Sequence, residues 1–182
     1  MNLINNNFLI TGPPGVGKTT AVRRLCENLN KFHPVGFFTE EIRVGGVRIG
    51  FEIVTLDGRR ALLSHVDIQS RYRVGKYNVN ISEFEAILDS IKFVSPETVL
   101  IIIDEIGKME CFSDKFRELV NEILDSEKIL IATIAMTGRG LIATVKKRSD
   151  VRLFEISERN RDSILSDILH EVNPCLIRLR RT

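Results

Sequence analysis

The sequence predicts an α/β fold in three layers, with helices covering both faces of a largely parallel central sheet. Continuous apolar runs of the kind found in buried parallel strands occur at residues 8–10, 98–103 and 128–134. Segments with apolar residues at helical spacing follow these runs. Residues 35–64 depart from this alternation, because turn pairs such as Gly45-Gly46 separate strand-like segments there. We expect an antiparallel β meander in residues 35–64.

A glycine-rich segment follows the first predicted strand. Residues 12–19 match the pattern G-x-x-x-x-G-K-[ST], and Val22, Leu25 and Leu29 continue at helical spacing behind it. Strand, glycine-rich loop and helix form the context in which this pattern binds phosphate. We therefore expect nucleotide contacts from Gly12, Pro13, Pro14, Gly15, Val16, Gly17, Lys18, Thr19 and Thr20.

Each residue type in this loop suits a different part of a triphosphate bound to magnesium. The glycines allow backbone N–H groups to converge on an anion, and the start of the helix adds unpaired N–H groups and a positive dipole end. Lys18 is expected to reach the β- and γ-phosphates, which makes it a catalytic residue as well as a binding one. The Thr19 hydroxyl is a candidate ligand of Mg²⁺, the expected cofactor.

Length and composition favour one domain, which we place at residues 1–174 and follow with a basic tail at residues 175–182. The net charge of +2, from 26 basic and 24 acidic residues, gives no indication of a nucleic-acid partner. The three isolated cysteines predict neither a disulfide framework nor a zinc site. Without an export signal or an apolar window long enough to span a membrane, we expect a cytoplasmic monomer.

A second stretch that indicates a chemical role is the apolar run of residues 98–103, which is followed directly by Asp104 and Glu105. Acids at the carboxyl end of a parallel strand lie where open α/β sheets bind ligands. Asp104 fits a magnesium ligand opposite Thr19, and Glu105 fits the base that orients the attacking water. Gly107 completes a D-x-x-G pattern and is expected to contact the nucleotide. If Glu105 is not the base, Glu40, Glu41 and Glu110 are the next candidates.

The remaining elements carry weaker expectations. Ser82 and Glu85 have the spacing of a capping box, and Ser113 is expected to cap the next helix. Arg139 follows a buried strand and is a candidate γ-phosphate contact. We expect solvated surfaces at Thr39, Glu40, Glu41 and Arg43, and at Lys146–Arg148 on a short helix. The last helix is expected to open at Asn160-Arg161 and to stop at Pro174.

Several segments together resemble the THEP1 family of nucleoside-triphosphatases, over about residues 7–170. They are the glycine-rich loop, Gly36–Arg43, Gly50-Phe51, Ile103–Glu110 and Glu158–Asp162. The resemblance implies a RecA-like P-loop fold and magnesium-dependent hydrolysis of ATP, GTP and other nucleoside triphosphates. The family usually has Ala-Thr-Ile-Pro and then His-Pro before the basic segment. This chain instead has Ala135 at the first of those prolines and Gly140-Leu141 near the second.

Three other functions are compatible with a phosphate-binding loop, because the loop alone does not determine a reaction. A GTPase switch is suggested by D-x-x-G, but no N-K-x-D sequence follows to read guanine. A nucleotide or small-molecule kinase would need an acceptor pocket and a basic lid, for which Arg71, Arg73 and residues 146–148 are candidates. A nucleic-acid-dependent ATPase would need a concentrated basic face. We expect hydrolysis of ATP, GTP, CTP and UTP alike, and Asn160 and Arg161 are the first candidates for base contacts.

Overall fold

A mixed sheet of nine strands forms the centre of the computed structural model, which describes residues 6–179. The strands are β1 (Asn7–Thr11), β2 (Val35–Val44), β3 (Val47–Thr55), β4 (Arg60–His65), β5 (Arg73–Val74), β6 (Tyr77–Val79), β7 (Leu100–Ile106), β8 (Ile129–Ile134) and β9 (Val151–Glu155). The helices are α1 (Lys18–Asn28), α2 (Ile81–Asp89), α3 (Asp114–Leu124), α4 (Leu141–Val145) and α5 (Ile164–Leu179). None of the helices in this part of the chain is long and apolar enough to cross a bilayer.

The strand order is β5-β6-β4-β3-β2-β7-β8-β1-β9. From β2 to β9 all four pairings are parallel, and from β5 to β2 all four are antiparallel. The meander expected in residues 35–64 is confirmed as β2, β3 and β4. The expectation of a largely parallel sheet is wrong, because the meander joins the same sheet through β2 and is extended by β5 and β6. The fold is therefore α/β with a mixed sheet.

The core lies on both faces of the sheet, since alternate residues of a strand point to opposite sides. Ile101 and Ile103 of β7 belong to the cluster that includes Phe84 of α2 and Phe116 of α3. Ile102, between them, belongs to the second cluster, with apolar residues of α1 and α5. A strand covered on both faces needs apolar residues at every position, which explains the uninterrupted run before Asp104.

Two helix starts are set by side-chain caps, one of them as expected. Ser113 caps α3 by accepting a hydrogen bond from the Phe116 N–H at 3.0 Å. The capping box expected at Ser82 and Glu85 is wrong, because Asn80 caps α2. The Glu85 carboxylate instead accepts a hydrogen bond from the Ser113 hydroxyl at 2.7 Å. Glu85 thus joins the start of α3 to α2, a contact that local spacing could not reveal.

The last helix differs from expectation at both ends. It begins at Ile164 rather than at Asn160, whose side chain closes the preceding turn by accepting the Ser157 N–H at 2.7 Å. It also continues through Pro174 to Leu179, so the expected stop is wrong. Ile168, Val172 and Leu176, four residues apart, are buried on both sides of the proline, and their packing maintains the helix across it. Arg180 and Arg181 of the expected tail lie outside the described residues.

Candidate active site

The loop between β1 and α1 lies at the carboxyl edge of the parallel strands. Gly15 and Gly17 have φ of 76° and 111°, a region that favours glycine, and Gly17 is the N-cap of α1. A Cβ on Gly12 would lie 2.5 Å from the Ile156 carbonyl oxygen, so only glycine fits there. The first turn of α1 has no acidic residue and no side-chain cap. Its N–H groups therefore remain available to an anion.

Lys18 begins α1 and turns back over this loop. Its Nζ donates to the Gly12 carbonyl at 3.0 Å and to the Pro13 carbonyl at 3.2 Å. These bonds hold the ammonium group at the mouth of the loop, where its charge faces the space enclosed by the backbone.

Asp104 lies near the end of β7 with only 2% of its surface exposed. Its Oδ1 accepts a hydrogen bond from the Thr133 hydroxyl, while Oδ2 is buried without a partner among the described residues. Burial raises the pKa of this carboxyl, and the neighbouring Thr133 and Thr19 hydroxyls partly oppose the shift. An oxygen in this position is one that a cation or a bound water would satisfy.

Glu105, the next residue, faces the same space. Burial raises the pKa of its carboxyl, the positive charge of Lys18 lowers it, and the Asp104 carboxylate raises it again. A carboxyl with a raised pKa is a stronger base once it has lost its proton. Glu105 therefore lies near the phosphate loop, and its raised pKa suits it to accept a proton.

A third carboxyl, that of Glu110, lies beside these two. It is 4% exposed, and burial raises its pKa to about 8, while the Gly107 and Glu110 backbone N–H groups oppose the shift. A Cβ on Gly107 would lie 2.6 Å from Glu110 Oε2 and 3.5 Å from Glu105 Cδ. The two carboxyls therefore pack around a glycine that has no room for a side chain. The sequence named Glu110 only as a fallback base, because nothing in its spacing indicates burial.

A cavity of about 880 Å³ joins these groups. Most residues expected to contact the nucleotide line it: Gly12, Pro14, Gly15, Gly17, Lys18, Thr19, Thr20, Asp104, Glu105 and Gly107. Pro13 and Val16 do not line it, and Val16 packs into the core instead. Arg139, Asn160 and Arg161 also lie outside the lining.

The meander contributes a wall that the sequence did not predict. Thr39, Glu40 and Glu41, expected to form a solvated edge, line the cavity. The Thr39 hydroxyl donates to the Asp104 carbonyl oxygen, which ties β2 to the end of β7. Glu40 forms ion pairs with Arg23 at 2.7 Å and Arg60 at 3.1 Å. Thr39 and Glu40 are thus partly buried in the site, whereas Glu41 and Arg43 are exposed as expected.

Lys146 is the second departure from the expected solvated surfaces. It follows α4 rather than lying within it, and its Nζ donates to the Thr11 hydroxyl at 3.2 Å and to the Met136 carbonyl at 2.8 Å. Burial lowers the pKa of this amine, and the nearby Glu155 and Glu105 carboxylates oppose that shift. Lys146 thus connects the ends of β1 and β8 directly beside the phosphate loop.

Comparisons with known proteins agree on one family. A family model described as NTPase matches residues 7–169. The nucleoside-triphosphatase THEP1 of Thermotoga maritima is 51% identical over 163 residues, covering 89% of this chain and 92% of that protein. The crystal structure of THEP1 from the hyperthermophile Aquifex aeolicus has a TM-score of 0.82 at 39% identity and covers 91% and 98% of the two chains. The solution structure of a human cancer-related nucleoside triphosphatase has a TM-score of 0.75 at 38% identity, with 90% and 95% covered.

Proposed function

The chain belongs to the THEP1 family of nucleoside-triphosphatases and hydrolyses nucleoside triphosphates, and we propose that it does so with magnesium and with little preference among ATP, GTP, CTP and UTP. The observation that carries the proposal is one cavity that brings Lys18 and Thr19 of the phosphate loop together with Asp104 and Glu105 of β7. The parallel half of the sheet, with the loop after β1 and the acids after β7, supports a P-loop fold of the RecA type.

Binding begins at the loop after β1. The N–H groups around Gly15 and Gly17 and at the start of α1 hold the phosphate oxygens, with further contacts from Thr20 and Gly107. Lys18 leaves the carbonyls of Gly12 and Pro13 and turns to the β- and γ-phosphates, which are stronger partners because they are charged. Its charge then stabilises the negative charge that develops on the transferred phosphoryl group.

The donor set around Asp104 fits a magnesium ion. The unpartnered Oδ2 of Asp104 and the Thr19 hydroxyl are oxygen donors, the type that this cation prefers. Among the described residues no group of three or more His, Cys, Asp or Glu side chains could hold a metal by itself, so phosphate oxygens and water would complete the shell. When bound, the ion would neutralise charge on the β- and γ-oxygens. Thr19 and Asp104 would hold it.

Glu105 acts as the general base in hydrolysis. Its carboxylate accepts a proton from the attacking water, which then bonds to the γ-phosphorus as the bond to the nucleoside diphosphate breaks. The positive charge of Lys18 lowers the pKa of Glu105 and so favours the ionised carboxylate, against the burial that raises the pKa. No residue of this step contacts the base, which is why we expect broad base specificity.

Phosphate release from equal concentrations of the four nucleotides, with and without magnesium, tests this function. Replacing Lys18 by Ala should reduce turnover by two orders of magnitude or more, since one lost charge at a phosphoryl-transfer transition state costs about 3 kcal/mol. Lys147→Ala is the matched control, because Lys147 is an exposed lysine outside the cavity. Normal hydrolysis by Lys18→Ala, or a thousandfold preference for one base, would contradict the proposal.

A further inference from the structure

The cavity extends well beyond the phosphate loop. The loop follows β1, which lies two strands from β7 on one side, and β3 lies two strands from β7 on the other. At a spacing of about 4.8 Å between strands, β1 and β3 are each about 10 Å from the acids at the end of β7. Glu105 thus lies between the phosphate loop and a second compartment built by the meander.

This compartment exists because β2 extends farther than β7 at the carboxyl edge of the parallel strands. The two strands pair only from Val35 to Phe37, yet β2 continues to Val44. Glu41 lies two residues past Thr39, which contacts the Asp104 carbonyl, so it stands about 7 Å farther along the sheet edge than Asp104. Phe51 is paired with Glu41 across β2 and β3. The projecting hairpin forms a wall on the far side of Glu105 from Lys18.

The wall combines an apolar surface with a fixed guanidinium group. Phe51 and Val74 give the apolar part of this wall, and Leu63 lies fully buried behind it. The Arg48 Cζ lies 5.0 Å from the Phe51 ring centroid, and its Nε donates to the Tyr77 hydroxyl at 2.9 Å. Its Nη1 donates to Glu41, while Nη2 donates to none of the described residues. Arg48 is therefore held in place with one donor group left over.

The four charged side chains of this wall that line the cavity balance one another, because Arg48 is paired with Glu41 and Arg23 is paired with Glu40. Arg43 and Arg60, which also pair with these two carboxylates, lie outside the lining. A ligand with a strong charge of its own would have to break one of these pairs, whereas a neutral planar ring could stack on Phe51 and accept a hydrogen bond from Arg48 Nη2. The compartment is thus complementary to a neutral heterocycle.

The nucleoside of the bound triphosphate cannot be that ring. The γ-phosphate must lie beside Glu105 for hydrolysis, and the nucleoside is attached at the opposite end of the phosphate chain. With the phosphate chain on the β1 side of Glu105, the meander wall on the β3 side would lie beyond the γ-phosphate, where a nucleophile attacks in line. A ring bound there belongs to a second molecule.

We propose that this compartment binds a nucleoside as a phosphoryl acceptor, so that the site transfers the γ-phosphoryl group to a nucleoside hydroxyl as well as to water. The inference rests on the proposed function of Lys18 and Glu105. The acceptor oxygen bonds to the γ-phosphorus, and the bond from phosphorus to the β–γ bridging oxygen breaks, with its electron pair leaving on the nucleoside diphosphate. The hydroxyl proton passes to the Glu105 carboxylate. The products are a nucleoside monophosphate and a nucleoside diphosphate.

The test uses the full chain with magnesium and GTP as donor, and adenosine, cytidine, uridine and thymidine as acceptor probes. Chromatography should detect the monophosphate of at least one probe, formed with saturation. Replacing Arg48 by Gln should raise the acceptor KM about tenfold or more, because a hydrogen bond from a charged donor is lost. Arg43→Gln is the matched control, since Arg43 also pairs with Glu41 but does not line the cavity. It should leave the acceptor KM unchanged.

The outcomes separate this inference from the proposed function. If the parent protein neither hydrolyses GTP nor transfers its γ-phosphoryl group, the proposed function itself is overturned. GTP hydrolysis without any phosphorylated probe would overturn only the acceptor inference. Equal effects of Arg48→Gln and Arg43→Gln on the acceptor KM would also overturn it, because the wall would then play no part.

Discussion

Replacing Glu110 by Gln should change how the stability of the protein depends on pH. The Glu110 carboxyl is buried, and its pKa is raised from 4.5 to about 8. The folded protein therefore keeps this proton up to about pH 8, whereas the unfolded chain releases it near pH 4.5. Between these values the folded state binds one more proton than the unfolded state. The free energy of unfolding must then fall as pH rises through this window.

The magnitude follows from the size of the shift. One pKa unit corresponds to about 1.4 kcal/mol, so Glu110 alone should lower the free energy of unfolding by about that amount per pH unit. Across the whole window the loss approaches about 5 kcal/mol, on the order of the total stability of a small domain. Glutamine has nearly the same shape but no titratable proton, so Glu110→Gln removes this slope. Any packing cost of the amide is independent of pH and does not alter the slope.

Urea unfolding followed by far-UV circular dichroism at pH 5, 6, 7 and 8 measures the effect. The free energy of unfolding of Glu110→Gln minus that of the parent should increase with pH, because other titrating groups contribute equally to both proteins. Glu118→Gln is the control, since Glu118 lies exposed on α3. A difference for Glu110→Gln that stays flat from pH 5 to 8 would refute the reasoning about this buried carboxyl.

Three other substitutions test the site and its support. Glu105→Gln should lower kcat by about 10² to 10⁴ with nucleotide affinity nearly unchanged, which steady-state kinetics and nucleotide titration would check. Asp104→Asn should weaken the magnesium dependence of nucleotide binding as well as turnover, measured by titration at several magnesium concentrations. Gly36→Ala should cost more than about 3 kcal/mol in urea unfolding, because its Cβ would lie 1.7 Å from the Ile102 carbonyl oxygen. Gly46→Ala, with open space around it, should cost only about 1 to 2 kcal/mol from its positive φ.

The parts of the candidate site that could be predicted are those that short, contiguous sequence patterns indicate. Lys18 and Thr19 follow from the spacing of the glycines, and Asp104 and Glu105 follow from the apolar run before them. The strand topology then explains why the two pairs meet. β1 and β7 are both parallel to β8, so their carboxyl ends lie at one edge of the sheet.

The parts that could not be predicted depend on pairing between distant segments. Alternating residues in 35–64 indicate strands, but they do not indicate that β2 pairs with β7 and so joins the parallel half of the sheet. That one pairing brings Thr39 onto Asp104 and turns an apparent surface edge into a cavity wall. Pro174 shows the same limit in a helix, because the packing of Val172 and Leu176 overrides a local stop signal.

Two of the least favourable polar groups of the described residues lie together at the candidate site, as expected where ligand binding and protein stability make opposed demands. Asp104 carries a buried oxygen without a partner, and Glu110 remains protonated at neutral pH because burial disfavours its charge. Both features destabilise the fold without a ligand. Around Asp104, a cation bound together with a triphosphate would supply the missing partner. Binding of that cation would offset the cost at Asp104, whereas a core that served stability alone would hold an apolar residue there.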